Sequence, residues 1–216
     1  MSTVVRLDDA VVTAGRFPVL TGLTLTARAG ECLVLEGPNG AGKTSALRLI
    51  GGLESLARGS GEVCGIDLRR GDRREIRRHC GWLGHEGSFY DDLTVRENLT
   101  FAARAGGFDL AGLATSVEAV GLSQRLDVRA ALLSAGQRRR LGIAWLVMRR
   151  PSIWLLDEPI AALDTSARIF LQGILEDALA KGVCVILSAH DNTMELRAPV
   201  SRLTIVGGRI EMGESS

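Results

Sequence analysis

The chain is poor in lysine. Lys43 and Lys181 are the only two among 26 basic residues; the others are arginine. Composition supplies no reason for that bias, but it makes Lys43 conspicuous. An excess of one charge is also missing: 26 basic against 25 acidic residues leave a formal net charge of +1, so no global field favours nucleic acid. The four cysteines, Cys32, Cys64, Cys80 and Cys184, are widely separated. They form no CxxC pair and no zinc-type spacing with histidine, which argues against a structural metal. Cys32 and Cys184 sit inside apolar runs and read as buried core thiols, a pattern that fits a reducing compartment. No long apolar run exists either. The strongest, Leu141 to Met148, falls far short of the ~20 residues a membrane span needs. The opening Met1-Ser2-Thr3-Val4-Val5-Arg6 lacks the basic-then-apolar order of a secretory leader. The expectation is no direct membrane insertion; any spans would come from another chain. What is present is a 216-residue chain, 46% hydrophobic, sufficient for one domain with a sub-domain.

The most informative stretch is Gly37-Pro38-Asn39-Gly40-Ala41-Gly42-Lys43-Thr44. It follows the apolar run Cys32-Leu33-Val34-Leu35 and precedes Ser45-Ala46-Leu47-Arg48-Leu49-Ile50. Strand, glycine-rich loop and helix in that order are the context that the phosphate-binding pattern GxxxxGK[ST] requires. Glycines permit backbone angles that strain other residues, so N–H groups can turn inward onto phosphate oxygens at a helix N-terminus. In such a loop Lys43 reaches the β- and γ-phosphates, and Thr44 offers its hydroxyl to Mg²⁺.

Residues 3 to 35 read as strands, with Ala29-Gly30-Glu31 as a turn. Gly59-Ser60-Gly61 opens a short strand, Glu62-Val63-Cys64. Arg69 to His79 carries six arginines. Asp72 and Glu75 are interspersed and no aromatic is interleaved, so this reads as a solvated helix face rather than a nucleic-acid patch. Cys80-Gly81-Trp82-Leu83-Gly84 is a strand running into a loop with His85, Glu86, Phe89 and Tyr90. From Leu93 to about Met148 the pattern is helical, opened by a capping box at Thr94-Val95-Arg96-Glu97. Residues 153 to 156 and 183 to 187 return to β-type runs with a helix between them, and Leu203 to Ile210 closes the chain as a hairpin. The pattern reads as an α/β domain with a helical insertion.

Two further constellations carry chemistry. Ile153-Trp154-Leu155-Leu156-Asp157-Glu158 is a buried strand ending in two carboxylates. Asp157 suits a hard cation, and Glu158 can accept a hydrogen bond from an attacking water. In Leu133-Ser134-Ala135-Gly136-Gln137, Ser134 and Gln137 have capping-box spacing, so a helix begins there, and the small Gly136 lets a phosphate approach its backbone.

Taken together, these motifs resemble the ATP-binding cassette family over essentially the whole chain. They are the Walker A loop Gly37–Thr44, the signature Leu133–Gln137, the Walker B strand to Asp157 and Glu158, the D-loop Ala162-Leu163-Asp164 and a switch histidine, His190. The resemblance implies an α/β fold with a phosphate-loop NTPase core at 1–85 and 149–216, an N-terminal antiparallel β portion and a helical sub-domain at 86–148, with ATP and Mg²⁺ as ligands and a head-to-tail pair of copies. Ser134 and Gly136, with Gln137 beside them, would close over the γ-phosphate held by the other copy. Asp164 would lie across that interface, and His190 would hydrogen-bond the γ-phosphate.

Two departures stand out. His85 stands where the family usually has a glutamine at the start of the loop into the helical sub-domain. Imidazole is a poor Mg²⁺ ligand, so Glu86 or a water is expected to take that contact, with His85 facing the γ-phosphate or the transporter. No aromatic sits near Ala14 to stack on adenine; Phe17 is the substitute candidate. Gly84-His85, Gly87, the Leu-Ser-Ala-Gly-Gln signature, the short chain and Trp154 resemble one branch, the ATP-binding subunits of cytochrome c maturation and haem export. That resemblance implies a peripheral subunit on the cytoplasmic face of a bacterial inner membrane, working with separate membrane-spanning subunits. Phe89, Tyr90 and Leu93 are candidate contacts for them. The alternatives are an ATPase of another small exporter, for lipid, drug or peptide, or a soluble cassette of translation or DNA repair. A single Walker A and the lack of a sustained heptad run weigh against the last.

Overall fold

The computed structural model describes residues 2–84, 89–160, 163–189 and 196–211. The chain divides into two compact units. One comprises Met1–Trp82 and Pro151–Ser216, the other Leu83–Arg150.

The first unit holds two sheets. β1 (Thr3–Ala14) and β2 (Phe17–Arg28) pair antiparallel, and β4 (Arg58–Val63) and β5 (Ile66–Asp67) extend them in the order β2-β1-β4-β5. Their side chains alternate between buried and exposed, as a one-face sheet requires. The second sheet is built on β3 (Cys32–Glu36), β7 (Ile153–Leu156) and β8 (Cys184–Ser188), whose residues are buried with the sole exception of Glu36. Strands covered on both faces belong to parallel sheets, and β3, β8 and β7 do pair in parallel. The full order is β10-β9-β3-β8-β7-β6, with β6 at Cys80–Leu83, β9 at Val200–Val206 and β10 at Arg209–Ile210. Helix α1 (Lys43–Ile50) buries Ala46, Leu47, Leu49 and Ile50 into a core shared with Leu33, Leu35, Leu155 and Ile186. α6 (Thr165–Ala180) connects β7 to β8.

β4 begins earlier than expected, at Arg58, and ends before Cys64. Gly59 explains this. A Cβ there would fall 2.1 Å from the Asp9 carbonyl oxygen, where β1 shifts register between Asp8 and Val11. The glycine admits a bulge rather than starting a strand. The arginine run also does more than face solvent. α2 (Arg73–His79) starts at Asp72, whose carboxylate accepts the Arg74 N–H. Arg69, Arg73 and Arg77 donate back to the Ala57 carbonyl, the Ser55 hydroxyl and the Gly52 carbonyl, stitching this segment onto residues 52–57.

The second unit is helical: α3 (Val95–Gly106), α4 (Leu113–Ala119) and α5 (Ala135–Arg149), with short 3-10 turns between α4 and α5. Both expected capping boxes form, Thr94 with Glu97 and Ser134 with Gln137. Buried Asn98 fastens the preceding segment to α3. Its carbonyl accepts the Tyr90 N–H at 2.8 Å, and its amide donates to the carbonyls of Tyr90, Leu93 and Thr94 at 3.0, 3.1 and 3.0 Å. Among the described residues no helix is long and apolar enough to cross a membrane.

All four cysteines are free thiols, and Cys32, Cys80 and Cys184 are buried. Burial pushes the Cys32 thiol up to about 12 and raises Cys184 as well. Thiolate is the reactive form, so neither should alkylate near neutral pH. Iodoacetamide at pH 8 is expected to leave Cys32 and Cys184 unmodified in native protein and to modify all four in denaturant, read by peptide mass spectrometry.

Candidate functional site

The parallel register brings three strand ends together. Leu35 of β3 lies opposite Ser188 of β8, and Leu156 of β7 lies opposite Leu187. The chain leaves β3 into Gly37 and leaves β7 into Asp157, so both exits flank the end of β8. Crevices at the carboxyl ends of such strands are where open α/β sheets bind ligands.

The loop from Gly37 to Gly42 takes the shape its glycines allow. Gly37, Gly40 and Gly42 have φ of +135°, +76° and +109°. A Cβ at Gly37 would lie 2.1 Å from the Ile205 carbonyl oxygen, so nothing larger than hydrogen fits. Pro38 and Ala41 close a turn through the Ala41 N–H to the Pro38 carbonyl at 3.2 Å, with Asn39 and Gly40 at its tip. Gly42 precedes α1 without a side-chain cap, and the first turn holds no acid. No acid within the helix itself offsets its N–H dipole end, which suits an anion. Lys43 is only 6% exposed. Its ammonium donates to the carbonyls of Gly37 and Pro38 at 2.6 and 3.0 Å, two of its three N–H bonds, leaving one for a ligand.

Thr44 and Asp157 meet across 113 positions of sequence. The Thr44 hydroxyl lies 3.1 and 3.0 Å from the two oxygens of the buried Asp157 carboxylate. A hydroxyl and a carboxylate facing each other are the oxygen donor set a hard cation prefers. Beside them Glu158 holds φ +48°, a left-handed backbone that costs a non-glycine residue roughly 1–2 kcal/mol. Its N–H is held at 2.8 Å by the Ser188 hydroxyl, which donates in turn to Asp157 Oδ1 at 2.7 Å. Ser188 was not among the residues expected here. The signal that could have found it is a hydroxyl ending the otherwise apolar run Cys184-Val185-Ile186-Leu187.

In the helical unit, Ser134 is exposed and caps α5 by accepting the Gln137 N–H at 3.2 Å, while Gln137 Oε1 accepts the Ser134 N–H at 3.0 Å. This use of the Ser134 oxygen leaves its O–H free to donate outward. A Cβ at Gly136 would meet nothing within 4 Å, so the helix start is open. Asp164 caps α6, accepting the Ala167 N–H at 2.7 Å and the Ser166 hydroxyl at 2.9 Å. Phe17 is 79% exposed and so does not pack into a core. Tyr90 and Phe101 form an exposed edge-to-face pair with centroids 5.0 Å apart; Phe89 and Leu93 are partly buried. His85, Glu86, Ala162 and His190 lie outside the described residues.

Comparison with known proteins gives a consistent result. The family model described as ABC transporter matches residues 20–161. A protein of Nitrosomonas europaea named cytochrome c biogenesis ATP-binding export protein CcmA is 37% identical over 195 residues, covering 88% of this chain and 90% of its own. One of the same name from Nitrosospira multiformis is 35% identical over 214 residues, covering 95% of this chain and 100% of its own. A solved structure titled as the ATP binding subunit of an ABC transporter superposes with a TM-score of 0.86. It is 28% identical and covers 96% of this chain and 88% of its own.

The loop geometry predicts unequal costs of adding one methyl group. Gly37→Ala should lower unfolding free energy by more than about 2 kcal/mol, because steric clash adds to backbone strain. Gly40→Ala, with nothing within 4 Å, should lose only about 1 kcal/mol. Urea denaturation of both variants measures the difference.

Proposed function

The chain belongs to the ABC transporter family, and from that premise we propose that it is the ATP-hydrolysing subunit of an export complex serving cytochrome c biogenesis. The meeting of the Thr44 hydroxyl with the Asp157 carboxylate is the observation that carries the ATPase reading. The names of the two CcmA relatives support the cytochrome c assignment, with haem as the cargo that the branch resemblance suggests.

In this reading the backbone from Pro38 to Gly42 and the start of α1 receive the β- and γ-phosphates, and Lys43 adds its ammonium. Thr44 and Asp157 hold Mg²⁺, which when bound offsets phosphate charge. Glu158 orients the attacking water and accepts its proton. Positioning and electrostatics supply most of the barrier lowering in phosphoryl transfer, which explains a site built of backbone amides and fixed oxygens. Phe17 offers an exposed ring for the adenine. His190 is assigned to the γ-phosphate, and His85 or Glu86 to a supporting contact near the ion.

Ser134 and Gly136 serve the ATP of a second copy. The free Ser134 O–H and the uncrowded Gly136 backbone are the groups a phosphate would meet there. Asp164 is assigned to the interface between copies. The membrane-spanning subunits are separate chains, received in part by the exposed Tyr90–Phe101 pair, and the protein works at the cytoplasmic face of a bacterial inner membrane. ATP binding and hydrolysis in the head-to-tail dimer then drive movement of the membrane-spanning subunits.

Two substitutions separate these roles. Glu158→Gln should keep ATP affinity, lower kcat by about 10²–10⁴-fold and accumulate an ATP-bound dimer on size exclusion. Gly136→Ala should stabilise α5 by up to about 1 kcal/mol, since Ala outranks Gly in helices, yet reduce ATPase activity by obstructing the second copy's phosphate. The export assignment is tested by co-expression with candidate membrane-spanning subunits from the same organism. The chain should co-purify with them in membrane fractions, and haem should be found on the partners rather than on this chain.

A further inference from the structure

Ser188 is fully buried at the end of β8, where every other residue of the strand is Cys, Val, Ile or Leu. A hydroxyl in such a place must be hydrogen-bonded to be tolerated. Its two bonds go to two successive residues of functional interest. The proton is directed at Asp157 Oδ1, and the oxygen receives the N–H of Glu158. Donating strengthens a hydroxyl as an acceptor, so the two bonds reinforce each other.

Ser188 is set in a paired, buried strand. It lies opposite Leu35 in register, and the next residue, Ala189, donates its N–H to the Leu35 carbonyl at 3.0 Å. The same β3 strand leads directly into the phosphate loop. Glu158 meanwhile sits in a left-handed conformation immediately before Pro159, a setting that favours extended backbone instead. Something outside the Asp157–Pro159 turn must fix it, and the Ser188 hydroxyl is bonded to its N–H.

We propose that Ser188 is a positioning residue for ATP hydrolysis: one hydroxyl holds the Asp157 carboxylate and the Glu158 peptide together and indexes both to the strand that carries the phosphate loop. The inference rests on the ATPase reading of this site. It assigns Ser188 no contact with nucleotide.

The test uses the full chain with Ser188→Ala, Ser188→Cys and Ser188→Thr. Loss of an outer-shell partner commonly costs about 10–100-fold in activity, and that fall in kcat is expected for Ser188→Ala. KM for ATP should stay within about threefold, because the phosphate loop is untouched. Ser188→Cys keeps nearly the same volume but donates weakly, so it should be impaired too, and it replaces the alanine variant if that fails to fold. Ser188→Thr retains the hydroxyl and should restore turnover. In the ligand-free protein, amide exchange at Glu158, followed by NMR, should accelerate in Ser188→Ala and recover in Ser188→Thr. Adding Ser188→Ala to Glu158→Gln should cost little further activity, since the two act as a unit.

A kcat for Ser188→Ala within about twofold of wild type, or losses that multiply in the double variant, would overturn the proposal. Unchanged Glu158 exchange would do the same without reference to activity. Wild-type protein lacking Mg²⁺-dependent ATPase activity would instead overturn the reading of the site, while the exchange measurement would still decide whether Ser188 holds Glu158.

Discussion

The parallel pairing of β3, β8 and β7 is the constraint on which the site depends. These strands are almost wholly buried, so their register is set by side chains that have no solvent face to turn toward. Leu35 opposite Ser188 and Leu156 opposite Leu187 bring the exits of three strands side by side. A slip of one residue would separate Thr44, Asp157 and Ser188, and the donor set they form would not exist. Core packing and chemistry are thus joined through register.

The phosphate loop is supported from behind as well. The turn between β9 and β10 sends the Gly208 N–H to the Ala41 carbonyl at 3.0 Å, and the Gly208 carbonyl accepts the Thr21 N–H at 2.9 Å. A Cβ at Gly208 would come within 2.7 Å of the Val19 carbonyl oxygen. The closing hairpin therefore acts as a brace between β2 and the loop. Its place at the end of the sheet gives it that role: β9 pairs with β3, the strand that feeds the loop.

Much of this was legible in the amino-acid order. Strand, glycine loop and helix around Lys43 could be read because φ restrictions make those glycines diagnostic. Both capping boxes could be read because their spacing is local. The N-terminal strands and the buried strand ending at Asp157 could be read from partly alternating and continuous apolar runs, while strand pairing could not. Less legible were features that depend on partners distant in sequence. Ser188 looks like any strand-end serine until Asp157 is placed beside it. Asn98 looks like a polar helix residue until its amide is seen to bind the carbonyls of Tyr90, Leu93 and Thr94. Gly59 reads as a strand opener until the Asp9 carbonyl fills the space where its Cβ would be. In the arginine run, side chains that composition assigns to solvent reach back to backbone carbonyls.

The scarcity of lysine has a practical side. Lys43 is buried, with its ammonium bonded to two carbonyls of its own loop. Lys181 is exposed at the C-cap of α6, just before β8 begins and at the opposite end of that strand from Ser188. Among side chains, an amine-directed fluorophore therefore has one accessible address. A dye coupled there would follow the approach of two copies by energy transfer without mutating the protein or loading the nucleotide loop.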